Sequence, residues 1–160
     1  MENTFSPAAA TARVVPKPRF DLTSVEPKAY VGLMAMHRQL SQSGLSLTHW
    51  DLINVRTSQL NGCAYCLMTH TQEALEHGET EQRLHALPAW HETPYFTAEE
   101  RAILAFTEEV TLITKHHVAD AVYEEAVALL GEAYLAQVLL AVVAMNAWNR
   151  LGIAQRKLPA

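Results

Sequence analysis

The chain has 160 residues, which is long enough to bury a hydrophobic core in one domain without disulfide or metal staples. Hydrophobic residues make up 49% of it and charged residues 18%, a composition that excludes an intrinsically disordered chain. Its formal net charge of -5 provides no basic field to attract phosphate backbones, so we expect no nucleic acid partner.

The N-terminal stretch has no hydrophobic periodicity and contains Pro7, Pro16 and Pro18. We therefore expect residues 1–21 to form a flexible extension, or an arm lying on a neighbour, ahead of one helical domain over residues 22–158. The stretch also lacks the central apolar run of a signal peptide, which predicts a cytoplasmic protein.

Hydrophobic spacing and capping residues predict helices along the remainder of the chain. Thr97 and Glu100 have the spacing of a capping box, and residues 90–94 are expected to form a loop. No stretch predicts a strand, so the expected fold class is all-α, a helical bundle. The helices are predicted between approximately these residues: Glu26 and Gly44, Ser46 and Gly62, Cys63 and Gly78, Thr80 and Leu87, Thr97 and His117, Asp120 and Gly131, Glu132 and Ile153.

The last predicted helix is apolar nearly all round. Such a helix must be covered on several sides, by the core, by another subunit or by both. Its uninterrupted apolar run, from Val138 to Met145, is too short for a bilayer, so we expect no membrane partner.

Both cysteines of the chain lie at the junction of the second and third predicted helices, in a Cys-x-x-Cys pair. Cys63, Cys66 and His70 share one helical stripe, because positions i, i+3 and i+7 lie on the same face. The helix N-terminus favours a thiolate at Cys63, whereas the nearby His70 favours one at Cys66, so either cysteine could attack first. Paired thiols beside a base predict a thiol redox site.

Asp51 lies twelve positions before Cys63, on the preceding predicted helix. If the two helices pack as a hairpin, its carboxylate could orient His70 or pass a proton through a water. Alternatively, Asp51 is a first-turn acid that stabilises its own helix, with Thr48 as the N-cap.

The pattern Asp51-x11-Cys63-x2-Cys66-x3-His70 resembles the alkylhydroperoxidase D branch of the carboxymuconolactone decarboxylase-like superfamily, and the stretch Asn146–Leu151 resembles the closing helix of that branch. The resemblance implies an all-helical protein that assembles as trimers or hexamers. It also implies a peroxidatic relay of two cysteines, a histidine and an upstream carboxylate, which here are Cys63, Cys66, His70 and Asp51. The family usually has Glu where this chain has the shorter Asp51.

The resemblance predicts a thiol peroxidase that reduces hydrogen peroxide or organic hydroperoxides through a Cys63–Cys66 disulfide. Such an enzyme needs no bound cofactor or metal, but it needs an external dithiol donor or redox adaptor protein. Other interpretations are thiol–disulfide exchange, a redox-sensing module without turnover, and buried structural cysteines. A zinc site is another, with Asp51, His77 or His85 as fourth ligand, as is the lactone or decarboxylation chemistry of superfamily members without paired cysteines.

Overall fold

The structure is a computed structural model that describes residues 15–159, so most of the predicted N-terminal extension lies outside the described residues. Within residues 15–159 every regular element is a helix, which confirms the predicted all-α class. The elements are α1 Leu22–Val25, α2 Pro27–Ser41, α3 Leu47–Asn61, α4 Ala64–Glu76, α5 Glu81–Ala86, a 3₁₀ helix Leu87–Glu92, α6 Ala98–Thr111, α7 Asp120–Leu130 and α8 Glu132–Gln155.

The N-terminal elements differ from the prediction. The short helix α1 was not predicted, and it forms because the Asp21 carboxylate accepts a hydrogen bond from the backbone N–H of Thr23 at 3.0 Å. The described end of the extension lies against α8 of the same chain, since the Arg19 N–H donates to the Gln155 carbonyl at 2.9 Å. Residues 15–21 therefore form a strap across the end of α8.

Two later boundaries were also predicted wrongly. Helix α6 begins with the predicted capping box of Thr97 and Glu100 but ends at Thr111, four residues before Lys115. The β-branched residues around this end disfavour further helix. Asp120 is the first residue of α7 rather than its N-cap. The predicted loop over residues 90–94 is partly the 3₁₀ helix.

The central element is α3, which packs against α4, α6 and α8. One of its faces places Ile53 in a hydrophobic cluster with α6 and α8 residues such as Ile103 and Val142. The other face places Leu52 and Val55 in a second cluster with α5, the 3₁₀ helix and α6. Because α3 is buried on both sides, its C-terminal end is held rigidly.

Helix α8 is covered on its core side, where Leu135, Val138 and Val142 are buried. On its opposite side Leu140 and Val143 remain 48% and 46% exposed in the single chain. The predicted cover on several sides is thus present only in part within residues 15–159.

Across residues 15–159, no helix taken alone has the length and hydropathy needed to cross a bilayer; only α7 and α8 together pass both criteria, and they are bent by 120°.

Candidate active site

A tight turn at Gly62 connects α3 to α4. Gly62 has φ 69°, in the left-handed region that glycine adopts without steric cost, and its N–H donates to the Gln59 carbonyl. The Cys63 N–H donates to the Ser58 carbonyl at 3.1 Å, so both amides satisfy carbonyls left free at the end of α3. The chain therefore re-enters a helix at once, and Cys63 becomes the N-cap of α4, as predicted.

Cys63 and Cys66 are joined by a disulfide bond within the first turn of α4. The Cys63 sulfur also accepts a hydrogen bond from the Cys66 backbone N–H, with 3.4 Å between Sγ and N. Both residues are buried, at 1% and 4% exposure. The Cys63 sulfur therefore belongs to the disulfide and also accepts the hydrogen bond that caps α4.

The disulfide packs against α8 at a glycine. A Cβ added to Gly152 would lie 3.2 Å from the Cys63 Sγ and 3.6 Å from the Cys66 Sγ. Met145, about two helical turns before Gly152 on α8, also packs against the two cysteines. A glycine at position 152 therefore allows α8 to approach the disulfide closely.

Amide side chains join the end of α3 to α8 beside this contact. The Asn61 Nδ2 donates to the Oδ1 atoms of Asn146 and Asn149, each at 3.0 Å. The Asn149 Nδ2 in turn donates to the Ser58 Oγ at 3.0 Å, and Asn149 is fully buried. We call these four residues the amide clamp. It joins the Asn146–Leu151 stretch of α8 to the end of the helix that precedes the cysteine pair.

A cavity of about 600 Å³ opens beside the disulfide. Of the two cysteines, Cys66 lines this cavity and Cys63 does not. Most of the remaining wall is apolar, and it comes from three directions: α2, α8, and the strap with the C-terminal tail. These wall residues are Tyr30, Met34, Met145, Trp148, Leu151, Pro18, Phe20 and Leu158.

The titratable side chains that line the cavity include His37, His70 and Glu73, together with Asp21, Tyr65 and Lys157. The His70 Nδ1 lies 2.7 Å from the Glu73 Oε2, within one turn of α4. This hydrogen bond lowers the pKa of Glu73, against the opposing effect of burial. Burial lowers the pKa of His37, and the neighbouring His70 lowers it further.

Asp51 is placed elsewhere. It is 2% exposed, and its Oδ2 and Oδ1 lie 2.9 Å and 3.1 Å from the Nδ1 of His77, at the C-terminal end of α4. Burial raises the pKa of Asp51, an effect that the hydrogen bond from His77 opposes. The carboxylate that contacts His70 is therefore Glu73, and Asp51 makes its hydrogen bonds to a different histidine.

The alternative role of Asp51 as a first-turn acid is also corrected. Ser46, not Thr48, is the N-cap of α3, since its Oγ accepts from the His49 N–H at 3.2 Å. Asp51 is then the fifth helical residue, beyond the first turn. A capping effect on its own helix is excluded by that position.

The residues named for a zinc site do not converge. Among residues 15–159 no group of three or more histidine, cysteine or acidic side chains is arranged to hold a metal ion. The sulfurs of Cys63 and Cys66 are joined in a disulfide, and His77 is hydrogen-bonded to Asp51.

Three residues of the site were missed by the sequence prediction: His37, Glu73 and Gly152. Glu73 lies three positions after His70, so helical spacing alone would have indicated the pair. His37 and Gly152 reach the site from α2 and α8, and no local pattern in the sequence marks them.

Comparison with known proteins places this site in a family. A profile of the carboxymuconolactone decarboxylase family matches residues 27–109, which includes the cysteine pair. The chain belongs to this family. It is 36% identical over 136 residues to the uncharacterized protein YdfG of Bacillus subtilis (strain 168), covering 85% of this chain and 92% of that protein.

Solved structures with the same fold differ in their described chemistry. A protein of unknown function from Agrobacterium tumefaciens, proposed to be the antioxidant defence protein AhpD, has a TM-score of 0.88 and 30% identity, over 90% of this chain and 99% of that one. The debrominase Bmp8 has a TM-score of 0.75 and 15% identity, over 86% of this chain and 74% of that one. The fold is therefore AhpD-like, and it is used for more than one reaction.

Proposed function

We propose that this protein is a thiol peroxidase that reduces hydroperoxides through the Cys63–Cys66 pair. The observation that carries the proposal is a disulfide at a helix N-terminus, of which one sulfur, that of Cys66, opens on a cavity shared with His70. A helix N-terminus and a nearby base both favour the thiolate, which is the reactive form of cysteine.

In the proposed first step the reduced Cys66 loses its proton to His70 and attacks the terminal oxygen of the hydroperoxide. A sulfur–oxygen bond forms, the oxygen–oxygen bond breaks, and the alkoxide takes the proton from His70 to leave as an alcohol. Cys66 is then a sulfenic acid. The assignment of Cys66 as the attacking residue follows from its place in the cavity wall.

In the second step the Cys63 thiol attacks the Cys66 sulfur and water leaves, which forms the disulfide. An external dithiol supplies two electrons and two protons to restore both thiols, and is itself oxidised to a disulfide. The proposal needs no bound cofactor, and it assumes a reducing compartment such as the cytoplasm. The partner is a small dithiol or a redox adaptor protein.

The cavity favours organic hydroperoxides over hydrogen peroxide. A wall built from Tyr30, Met34 and Trp148 offers apolar contact to an alkyl or aryl group and little to a hydroperoxide without one. Burying such a group adds binding free energy that hydrogen peroxide cannot supply.

In the proposal, Asp51 does not have the relay role that the family resemblance implied. Its carboxylate is within electrostatic range of both His70, which lowers its pKa, and Glu73, which raises it. We therefore retain Asp51 as a buried charge near the site and not as the direct hydrogen-bond partner of His70.

The proposal is tested on the reduced protein with one equivalent of cumene hydroperoxide, followed by peptide mass spectrometry. We expect a Cys63–Cys66 disulfide in the wild type, a Cys66 sulfenic acid in Cys63→Ser, and no peroxide consumption in Cys66→Ser. With dithiothreitol as donor, kcat/KM for cumene hydroperoxide should exceed that for hydrogen peroxide.

Loss of peroxide at the same rate in both cysteine variants contradicts the proposal. A disulfide that forms once, without continued consumption in the presence of dithiol, indicates a redox-sensing module instead. Rapid disulfide exchange with a protein dithiol, together with inertness to peroxide, indicates a thiol–disulfide oxidoreductase.

A further inference from the structure

We propose that Glu73 is the positioning residue of the site: it holds the His70 ring so that the other ring nitrogen receives the Cys66 proton. The inference deepens the proposed function and rests on it. Glu73 is placed in this role instead of Asp51, the carboxylate that the family resemblance indicated.

The hydrogen bond between His70 and Glu73 determines which ring nitrogen is free. Glu73 has a lowered pKa, so its carboxylate is ionised and can only accept a hydrogen bond. The His70 Nδ1, at 2.7 Å from that carboxylate, therefore carries the proton. In the neutral ring this leaves the Nε2 as the nitrogen able to accept a proton from a thiol.

The position of the ring agrees with this assignment. His70 is one turn after Cys66 on α4, and both line the cavity. The His70 side chain is only 12% exposed, whereas the Glu73 side chain is 44% exposed. Glu73 is therefore the more exposed partner of the pair, and it contacts the largely buried imidazole at Nδ1.

Asp51 does not hold the His70 ring in this way, because the hydrogen bonds of its carboxylate go to the Nδ1 of His77. That histidine lies seven positions after His70, at the C-cap of α4. The two carboxylates thus serve two different histidines, one at the cavity and one at the far end of the helix.

The other charged groups around the pair come from every neighbouring element. His37, on α2, interacts electrostatically with both His70 and Glu73. Asp51, on α3, also interacts electrostatically with both. His77 acts on Glu73 from the end of α4. Lys157, which follows α8, lies over the Tyr65 ring at 3.9 Å on the same side of the cavity. Among residues 15–159, only Glu73 makes a hydrogen bond to the His70 ring.

When the Cys66 thiol ionises, its proton moves to the Nε2 of His70 and the ring becomes an imidazolium. The Glu73 carboxylate stabilises that charge through the existing hydrogen bond. The proton then leaves with the alkoxide, so His70 returns to its starting form. Glu73 contacts neither the sulfur nor the peroxide and acts through His70 alone.

The test measures alkylation of Cys66 by iodoacetamide between pH 5 and 9, in the reduced full chain carrying Cys63→Ser. Glu73→Gln keeps a hydrogen-bond acceptor and removes the charge, and Glu73→Ala removes both. We expect alkylation at pH 7 to slow by about tenfold in Glu73→Ala, with a smaller loss in Glu73→Gln. The rate profile should move to higher pH in both.

The matched control is Glu76→Gln, which removes the same charge from an exposed position three residues further along α4 and should leave the profile unchanged. A second control tests whether Glu73 acts through His70. In a His70→Asn background, Glu73→Ala should have no further effect on the alkylation rate.

The proposal is overturned if Glu73→Ala behaves like Glu76→Gln, or if its effect persists undiminished in the His70→Asn background. It is also overturned if Asp51→Asn shifts the profile while Glu73→Ala does not. Circular dichroism of each variant excludes misfolding as the cause. Since alkylation requires no peroxide, failure of peroxide turnover would refute the proposed peroxidase function and leave the role of Glu73 to be decided by the alkylation profile.

Discussion

Gly152 has a hydrogen atom where alanine would have a methyl group, and this difference determines how closely α8 can approach the disulfide. The Cys63 sulfur lies 3.2 Å from where a Cβ would stand, a distance at which one of the two must move. Neither has much freedom, since the sulfur caps α4 and Gly152 is buried in α8.

We therefore expect Gly152→Ala to destabilise the oxidised protein by about 1–3 kcal/mol, the usual effect of overpacking a core. Urea unfolding under oxidising conditions measures it. The matched variant is Gly32→Ala on α2, where a Cβ meets nothing within 4 Å, and this change should stabilise by about 0.5–1 kcal/mol. Equal effects of the two substitutions would contradict the contact.

The buried carboxylate of Asp51 leads to a prediction about how the stability of the protein depends on pH. Its pKa is raised in the folded protein because the carboxylate is buried, so folding favours its neutral form. The contribution of Asp51 to the free energy of unfolding is fully present below the pKa that this residue has in the unfolded chain. It is lost as the pH rises through the pKa that Asp51 has in the folded protein.

Asp51→Asn should therefore raise Tm relative to wild type at pH 7, and the difference should shrink as pH falls through the acid range. The amide oxygen can still accept from His77. Differential scanning calorimetry at several pH values measures the trend, with the exposed Asp120→Asn as a control expected to show none. A loss of stability in Asp51→Asn at pH 7 would show that the His77 bond outweighs the cost of burial.

At the scale of elements, the amide clamp holds the end of α3 against α8. Asn149 is the central member, because it accepts from Asn61 and donates to Ser58 while fully buried. Removing it takes the donor from the Ser58 Oγ and leaves Asn146 as the remaining acceptor of the Asn61 Nδ2.

Asn149→Ala should destabilise the fold by about 2–4 kcal/mol, given one buried and one partly buried hydrogen bond lost and a cavity formed. Gln72→Ala, which removes an exposed hydrogen bond to Glu76, should change stability by less than about 0.5 kcal/mol. Chemical denaturation compares them. A small effect at Asn149 would indicate that water replaces the amide.

The junction of α3 and α4 could be predicted from sequence because its signals are local: Asn61-Gly62 marks the turn, and Cys63 follows directly. The partner of Asp51 could not, since His77 is 26 residues away and their meeting depends on how α4 packs on α3. The start of α7 was misassigned for a similar reason. The Ala119 N–H donates to the Glu109 carboxylate of α6 at 2.7 Å, a contact between elements that local sequence does not show.

At the scale of the whole molecule, the described residues 15–159 leave an apolar surface of α8 uncovered. Leu139, Leu140 and Val143 are 39%, 48% and 46% exposed on one side of the helix. The resemblance implied trimers or hexamers, and this surface is the part of α8 that such contacts would cover.

We expect the protein to sediment as a multiple of its 17.8 kDa chain, and Leu140→Glu to lower the assembled mass. Sedimentation velocity at several concentrations measures both. Gln39→Glu introduces the same charge at an exposed polar position of α2 and should have no effect. A wild-type monomer at all concentrations would refute the expected assembly.

The sulfur that caps α4 is also half of the redox couple, so the oxidation state of the protein and the order of one helix end are coupled. When Cys63 and Cys66 separate on reduction, the acceptor for the Cys66 N–H becomes free to rotate away. The backbone amide of Cys66 should then exchange its hydrogen faster in the dithiol form. In the proposed catalytic cycle, each turnover would loosen and retighten the first turn of α4, which carries the proposed attacking residue Cys66.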